Sequence, residues 1–199
     1  YTGHVYVDKN KNGVFDQSEK PLAGIKVSDG LNVVETAADG SFTLPGHERE
    51  RFIFITTPSG YKTFNRHYHK IEKKQSGYDF GLIPYSGRIR KNGSHRYIHI
   101  ADTEIFNTEN HADWVNNVRD YARNEQAAFI IHTGDICYEK GLKAHIKLMN
   151  TENMDCPVFY CIGNHDLVKG KYGEELFESI YGPVYYSFDA GNVHYVVTP

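Results

Sequence analysis

At 199 residues the chain has room for one domain or two. Its 24% charged and 40% hydrophobic content excludes wholesale disorder. A net charge of −3 argues against nucleic acid as the main partner, because binding a phosphate backbone needs a concentrated basic surface. No apolar run approaches the ~18 residues of a spanning helix. Three cysteines, Cys137, Cys156 and Cys161, are too few for a disulfide framework and fit no zinc spacing. They stand beside apolar residues and are expected to be plain buried thiols.

Residues 1–83 read as short strands with turn punctuation. Strands are expected over 3–7, 24–27, 32–36, 41–44, 51–56 and 78–82, from β-branched and aromatic runs. Asp29-Gly30, Asp39-Gly40 and Pro58-Ser-Gly60 separate them, since Gly accepts positive φ and Asp bonds its own backbone. Six such strands with no helical period predict a small β-sandwich. The basic stretch 66–74 reads as a solvated loop. Residues 84–94, polar and turn-rich, read as a linker.

From His95 the period changes. Apolar runs 96–101, 127–131 and 157–162 alternate with helical patterns. The first pattern aligns Trp114, Val118, Tyr121 and Ala122, the second Leu142, Ile146 and Met149, and a shorter one covers 174–180. Two further strand-like runs, 185–188 and 193–197, close the chain. The alternation predicts βαβ units with parallel pairing, an α/β domain over 95–199. This half is acidic, with 11 Lys and Arg against 15 Asp and Glu over 84–199.

Each of the three apolar runs ends in polar side chains: Asp102-Thr-Glu104, Thr133-Gly-Asp135 and Gly163-Asn-His-Asp166. Parallel strands deliver their carboxyl ends to one sheet edge, where ligands bind. Carboxylates crowded at such an edge repel one another unless a cation neutralises them, so the pattern points to metal. Gly134 and Gly163 let backbone come close to an ion or substrate. His99, His132 and His145 fall in strand or helix patterns and read as packing or surface residues.

Gly134-Asp135 followed by Gly163-Asn164-His165-Asp166, with an Asp-x-ligand at the preceding strand end, resembles the calcineurin-like metallophosphoesterases. Residues 181–195 are similar to the segment after Gly-Asn-His in that family. The resemblance implies an α-β-β-α layered fold and two divalent metals, drawn from Mn, Fe, Mg or Zn. It implies that Asp135 bridges the two, that Asp102 and Glu104 hold the first and that Asn164 helps hold the second. His165 would be the general acid, oriented by Asp166. The implied activity is hydrolysis of a phosphoester by water attacking phosphorus. Glu104 stands where the family usually has His, which favours harder ions. The family's later histidines, one isolated and then a Gly-His-x-His, do not follow before Pro199. A fragment is therefore expected, incomplete in the C-terminal part of its fold and inactive by itself.

The first half holds a second candidate site. Asp8, Asn10, Asn12, Val14, Asp16 and Glu19 take positions 1, 3, 5, 7, 9 and 12 of an EF-hand-like loop, with Gly13 at position 6. Such a loop wraps oxygen donors around calcium. A strand rather than a helix precedes it, and it resembles the calcium loops of B-type repeat domains in bacterial surface adhesins. Residues 20–44 are similar to that group and to other prealbumin-like modules. The combined expectation is a secreted or periplasmic bacterial hydrolase with a phosphoester substrate. Its alternatives are a degenerate phosphoesterase used for binding and a calcium-stiffened surface adhesion module.

Overall fold

Alternation along β1 (Thr2–Val7) sends Val5 and Val7 into a core and Tyr6 to the opposite face of its sheet. The strands that follow are β2 (Lys20–Pro21), β3 (Lys26–Ser28), β4 (Val33–Glu35), β5 (Ser41–Thr43), β6 (Phe52–Ile55), β7 (Tyr61–Thr63), β8 (Tyr68–Lys70) and β9 (Phe80–Pro84). They make two sheets, one ordered β2-β1-β9-β7 with β5 also on β1, the other β4-β3-β6-β8. Val5, Phe42 and Phe80 from the first sheet and Val27, Ile53 and Ile55 from the second share one apolar cluster, so the core lies between the sheets. The pairing of β1 with β9 is parallel. The computed structural model describes residues 1–199 except 65, 74, 76, 87 and 169. Lys74 of the basic stretch and Gly87 of the expected linker thus lie outside the described residues.

The basic stretch is not wholly a solvated loop. Tyr68–Lys70 forms β8, antiparallel to β6, with Phe54 opposite Tyr68. Tyr68 is buried, edge-on to Phe52 with ring centroids 5.6 Å apart, and the Arg66 guanidinium lies 5.4 Å from its ring centroid. One buried aromatic among five charged neighbours suffices to dock an edge strand, and those charges mask it in the sequence.

The β3–β4 connection is closed by Asp29. Its Oδ1 accepts the N–H groups of Leu31 at 2.9 Å and Asn32 at 2.7 Å, and its Oδ2 accepts the Asn32 amide at 3.0 Å. Burial works to raise the pKa of this carboxyl. The Asn32 side chain, the Asn32 and Leu31 N–H groups and His47 outweigh it and hold the value below the ordinary 3.8. A depressed carboxyl contributes stability that is present above pH 3.8 and is lost as the pH falls through its folded value. Thermal unfolding followed from pH 5 to pH 2 is expected to show a falling midpoint below about pH 4, with a shallower slope in Asp29→Asn.

The second half alternates as expected: β10 (Tyr97–Ile100), α1 (Ala112–Asn124), β11 (Phe129–His132), α2 (Glu139–Leu148), β12 (Val158–Tyr160) and α3 (Glu175–Tyr181). β10, β11 and β12 form a parallel sheet in that order. In helix α1 Ala122 is buried as expected, and Val115 is buried with it, while Trp114 is 41% and Tyr121 60% exposed. The smaller side chains of the expected face and its neighbour pack inward, and the large aromatics do not. In α2, Leu142 is buried as expected, and so is His145.

By contacts the chain divides into Tyr1–Gly87 with Tyr186–Val196, and Arg88–Tyr185 with Val197–Pro199. β13 (Tyr186–Ala190) and β14 (Val193–Val197) form a two-stranded sheet. The Asp189 N–H bonds the Thr57 carbonyl at 2.9 Å, which groups this sheet with the β-rich unit. All three cysteines are free thiols, Cys137 and Cys156 buried and Cys161 half-buried.

Candidate functional site at the sheet edge

Beyond β10 the chain carries Asp102 and Glu104, beyond β11 Gly134 and Asp135, and beyond β12 Gly163 to Asp166. These follow three adjacent parallel strands, so the three segments leave the sheet side by side. The Asp102 N–H bonds the Gly134 carbonyl at 3.2 Å, joining the first segment to the second. Asp135 Oδ1 accepts the His165 N–H at 3.1 Å, joining the second to the third. Asp135 is thereby set against the turn that carries Asn164.

Two glycines permit this approach. A Cβ on Gly134 would stand 2.6 Å from the Gly163 nitrogen. A Cβ on Gly163 would stand 2.1 Å from the Asp135 nitrogen and 2.3 Å from its Oδ1. All three distances are shorter than atoms allow, so any side chain would push the second and third segments apart. The backbone is also held in an unfavourable region. Asp102, Glu104 and Asp135 have φ of 53°, 42° and 51°, three of the six non-glycine residues with positive φ among those described. Such conformations cost energy and persist where the surroundings over-determine them, commonly at functional sites.

Asp166 has partners other than the expected one. Its Oδ1 accepts the N–H groups of Ile136 at 2.8 Å and Cys137 at 3.1 Å, and its Oδ2 accepts that of Gly163 at 2.9 Å. The residue is fully buried. Burial is the main effect on its carboxyl and raises the pKa, against the three N–H groups, which lower it. Its carboxylate therefore ties the segment after β11 to that after β12 and makes no bond to His165 among the described residues. The His165 ring is instead stacked on Tyr138, with centroids 5.1 Å apart and planes 19° from parallel.

His132 is buried at the end of β11 and does more than pack. Its Nδ1 accepts the Gly134 N–H at 3.3 Å, which leaves the proton on Nε2 to be donated to Thr103 Oγ1 at 2.9 Å. Thr103, between the two candidate ligands Asp102 and Glu104, passes its own proton to the Ile136 carbonyl at 3.3 Å. Burial and the neighbouring His99 push the His132 pKa down to about 4, with Asp135 opposing, so the ring is neutral as this pattern requires. The sequence passes over Tyr138, which carries no local pattern, and reads His132 as a packing or surface residue because nothing local links it to Thr103.

The carboxylates of Asp102, Glu104 and Asp135 do not all come within 4.8 Å of one another. The trio that does so among the described residues is Asp29, His47 and Glu50, in the β-rich unit. There His47 Nε2 lies 3.5 Å from Asp29 Oδ1, and Glu50 accepts the His47 N–H and the Tyr1 hydroxyl. No sequence spacing announces this trio, because a strand pair and two loops separate Asp29 from the other two.

Two family matches cover most of the chain. Residues 9–84 match the family described as N terminal of Calcineurin-like phosphoesterase, and residues 95–196 match Calcineurin-like phosphoesterase. None of the curated proteins matches the chain. The first match makes the β-rich region the module that precedes the catalytic domain in this family. The second takes in every strand-end residue described above and just over half of the sequence; the chain belongs to the calcineurin-like phosphoesterase family.

Proposed function

We propose that this chain carries the phosphoester-hydrolysing site of its family at the carboxyl edge of the β10–β11–β12 sheet. Calcineurin-like phosphoesterases are metal-dependent hydrolases of phosphoesters. The observation that carries the assignment is the joining of three strand ends at Asp135, through the Asp102–Gly134 and Asp135–His165 bonds and the Gly134–Gly163 approach.

The donor set suits hard divalent cations: three carboxylates and one amide oxygen, from Asp102, Glu104, Asp135 and Asn164. Among the described residues Asp102 and Glu104 have no side-chain hydrogen bond or ion pair, so their oxygens are available. A two-ion site spreads its donors over ions about 3.5–4 Å apart, so its carboxylates need not crowd within a single 4.8 Å group. Asp135, central among the three segments, is the residue that would bridge. When bound, the cations supply Lewis acidity towards the phosphoryl oxygens and a water acidic enough to attack at neutral pH.

The chain's own residues do the rest. His165 protonates the departing oxygen, with its ring held flat by Tyr138. Asp166 is a positioning residue that fixes the turn bearing Asn164 and His165. His132 and Thr103 set the segment carrying Asp102 and Glu104. The parallel sheet is read as one of the two inner layers of an α-β-β-α arrangement, and the substrate as a phosphoester of unassigned leaving group.

Hydrolysis of an aryl phosphate by the full-length protein is expected to stop on treatment with a chelator. It should return with Mn²⁺ or Mg²⁺ more fully than with Zn²⁺, because Glu104 replaces a softer imidazole. Turnover that survives the chelator unchanged would remove the proposal. Tight metal binding with no turnover in any ion would favour the degenerate binding protein instead.

A further inference from the structure

We propose that the Asp8–Glu19 loop is a calcium site of the β-rich unit, formed by the side-chain oxygens of Asp8, Asn10, Asn12, Asp16 and Glu19 with the Val14 carbonyl. It stands apart from the phosphoesterase edge in sequence, in unit and in chemistry.

The first support is buried charge without a counter-ion. Asp8 is 1% and Glu19 6% exposed. Asp8 accepts the N–H groups of Asn12 at 3.2 Å and Gly13 at 2.9 Å. Glu19 accepts those of Lys9 at 2.9 Å and Asp16 at 3.2 Å. All these donors are neutral backbone groups. No lysine, arginine or histidine among the described residues pairs with Asp8, Asp16 or Glu19. Burying carboxylates costs several kcal/mol unless a cation or a full set of bonds compensates.

The second support lies outside the loop. Tyr6 lies on β1 and Asp8 just beyond its end, two residues on, where its N–H still bonds the Leu82 carbonyl, so both side chains share the face opposite the core. Phe15 of the loop covers the Tyr6 ring at 4.9 Å between centroids. The Tyr6 hydroxyl is wholly buried and has no hydrogen-bond partner among the described residues. Its pKa is pushed up by burial first and then by the charges of Asp8, Asp79, Glu19 and Asp16. A buried O–H with nothing to donate to calls for an acceptor at that position. An oxygen of a cation's shell, whether from water or from a carboxylate turned inward, meets that requirement.

Asn10 and Asn12 both donate their amide NH₂ to Asp16 Oδ2, at 2.8 and 3.0 Å, while their amide oxygens accept the N–H groups of Asn12 at 3.1 Å and Val14 at 2.8 Å. Gly13 has φ 72°, the sharp turn that position 6 of a twelve-residue calcium loop requires. Oxygens on opposite sides of a calcium ion stand up to about 5 Å apart at Ca–O distances of 2.3–2.6 Å. Among the described residues Asp8, Asp16 and Glu19 form no group within 4.8 Å of one another. Mg²⁺, which needs a smaller octahedron and gives up its water reluctantly, fits such a loop poorly.

Calcium titrated into the full chain is expected to bind at one equivalent by calorimetry and to raise the unfolding midpoint. Three carboxylates with two amides give an affinity towards the weak end, roughly 10⁻⁴ M, so the rise should reach about 5 °C at 10 mM. The same concentration of magnesium should give well under half of it. Glu19→Gln keeps the size and the N–H acceptor but loses the second charged oxygen, and should abolish most of the shift. Asn12→Ala, on an exposed side chain, serves where that variant folds poorly and should weaken binding about tenfold. His47→Ala, at the Asp29–His47–Glu50 trio, should leave the shift intact. No midpoint change in the unaltered chain overturns the proposal. A shift equal in the unaltered chain and in both loop variants also does so, because the ion is then bound elsewhere.

Discussion

Asp135→Asn is expected to reduce metal-dependent phosphoester hydrolysis by more than a hundredfold while leaving the fold intact. Replacing residues that merely orient a metal's ligands costs about 10–100-fold in affinity or activity, so removing the charge of a bridging ligand should cost more. Asparagine isolates that charge. It keeps an oxygen to accept the His165 N–H now bonded at 3.1 Å. It also tolerates the φ of 51° at this position, whereas a residue without a local polar group resists the left-handed region by about 1–2 kcal/mol. The measurement is aryl phosphate turnover by the full-length protein at saturating Mn²⁺, paired with the thermal unfolding midpoint of the same preparation. Activity within tenfold of the unaltered chain at an equal midpoint would show that Asp135 is not a ligand, and the reading of the edge would fall with it.

Asp166→Ala is expected to be the most destabilising single change at the edge. It strips acceptors from the buried N–H groups of Ile136, Cys137 and Gly163 at once. A buried donor left unsatisfied costs about 1–3 kcal/mol, so three cost roughly 3–6 kcal/mol with some relief from relaxation. Against a typical total of about 5–15 kcal/mol, the variant is near unfolding at room temperature. Asp166→Asn separates tethering from charge. It retains one oxygen for Ile136 and Cys137 but presents an NH₂ to the Gly163 N–H, and should lose about 1–3 kcal/mol. Urea unfolding of the three proteins orders them. Should alanine prove as stable as asparagine, the tie between the segments after β11 and β12 is held by something other than Asp166. A positioning role further predicts that Asp166→Asn raises the Mn²⁺ concentration needed for half-maximal turnover more than it lowers turnover at saturation.

Much of this was legible in the chain itself, for a physical reason. Strand and helix periods depend on residues two to four apart, so βαβ alternation from 96 to 181 could be read locally. The Gly-Asp and Gly-Asn-His-Asp segments are likewise contiguous, and their glycines are needed because backbone meets backbone there. Where packing chose between near-equal local patterns, the reading slipped. In α1 Val115 rather than Trp114 joins Ala122 on the inward face, and β8 was hidden among lysines and histidines.

The partners of Asp166 were illegible for a different reason. A carboxylate next to a histidine in sequence suggests a pair, but its burial beside three N–H groups is a property of two segments meeting. The neutral His132 bonded to Thr103, the Tyr138–His165 stack and the Asp29–His47–Glu50 trio all join residues far apart in the chain or with no pattern linking them. The order of amino acids by itself determined the succession of elements, the family and the chemical kind of each strand end. Tertiary structure alone decided which of those groups share a hydrogen bond, which are sealed from water and which stay free to hold an ion. Such choices depend on distances between segments, and a linear pattern does not contain them.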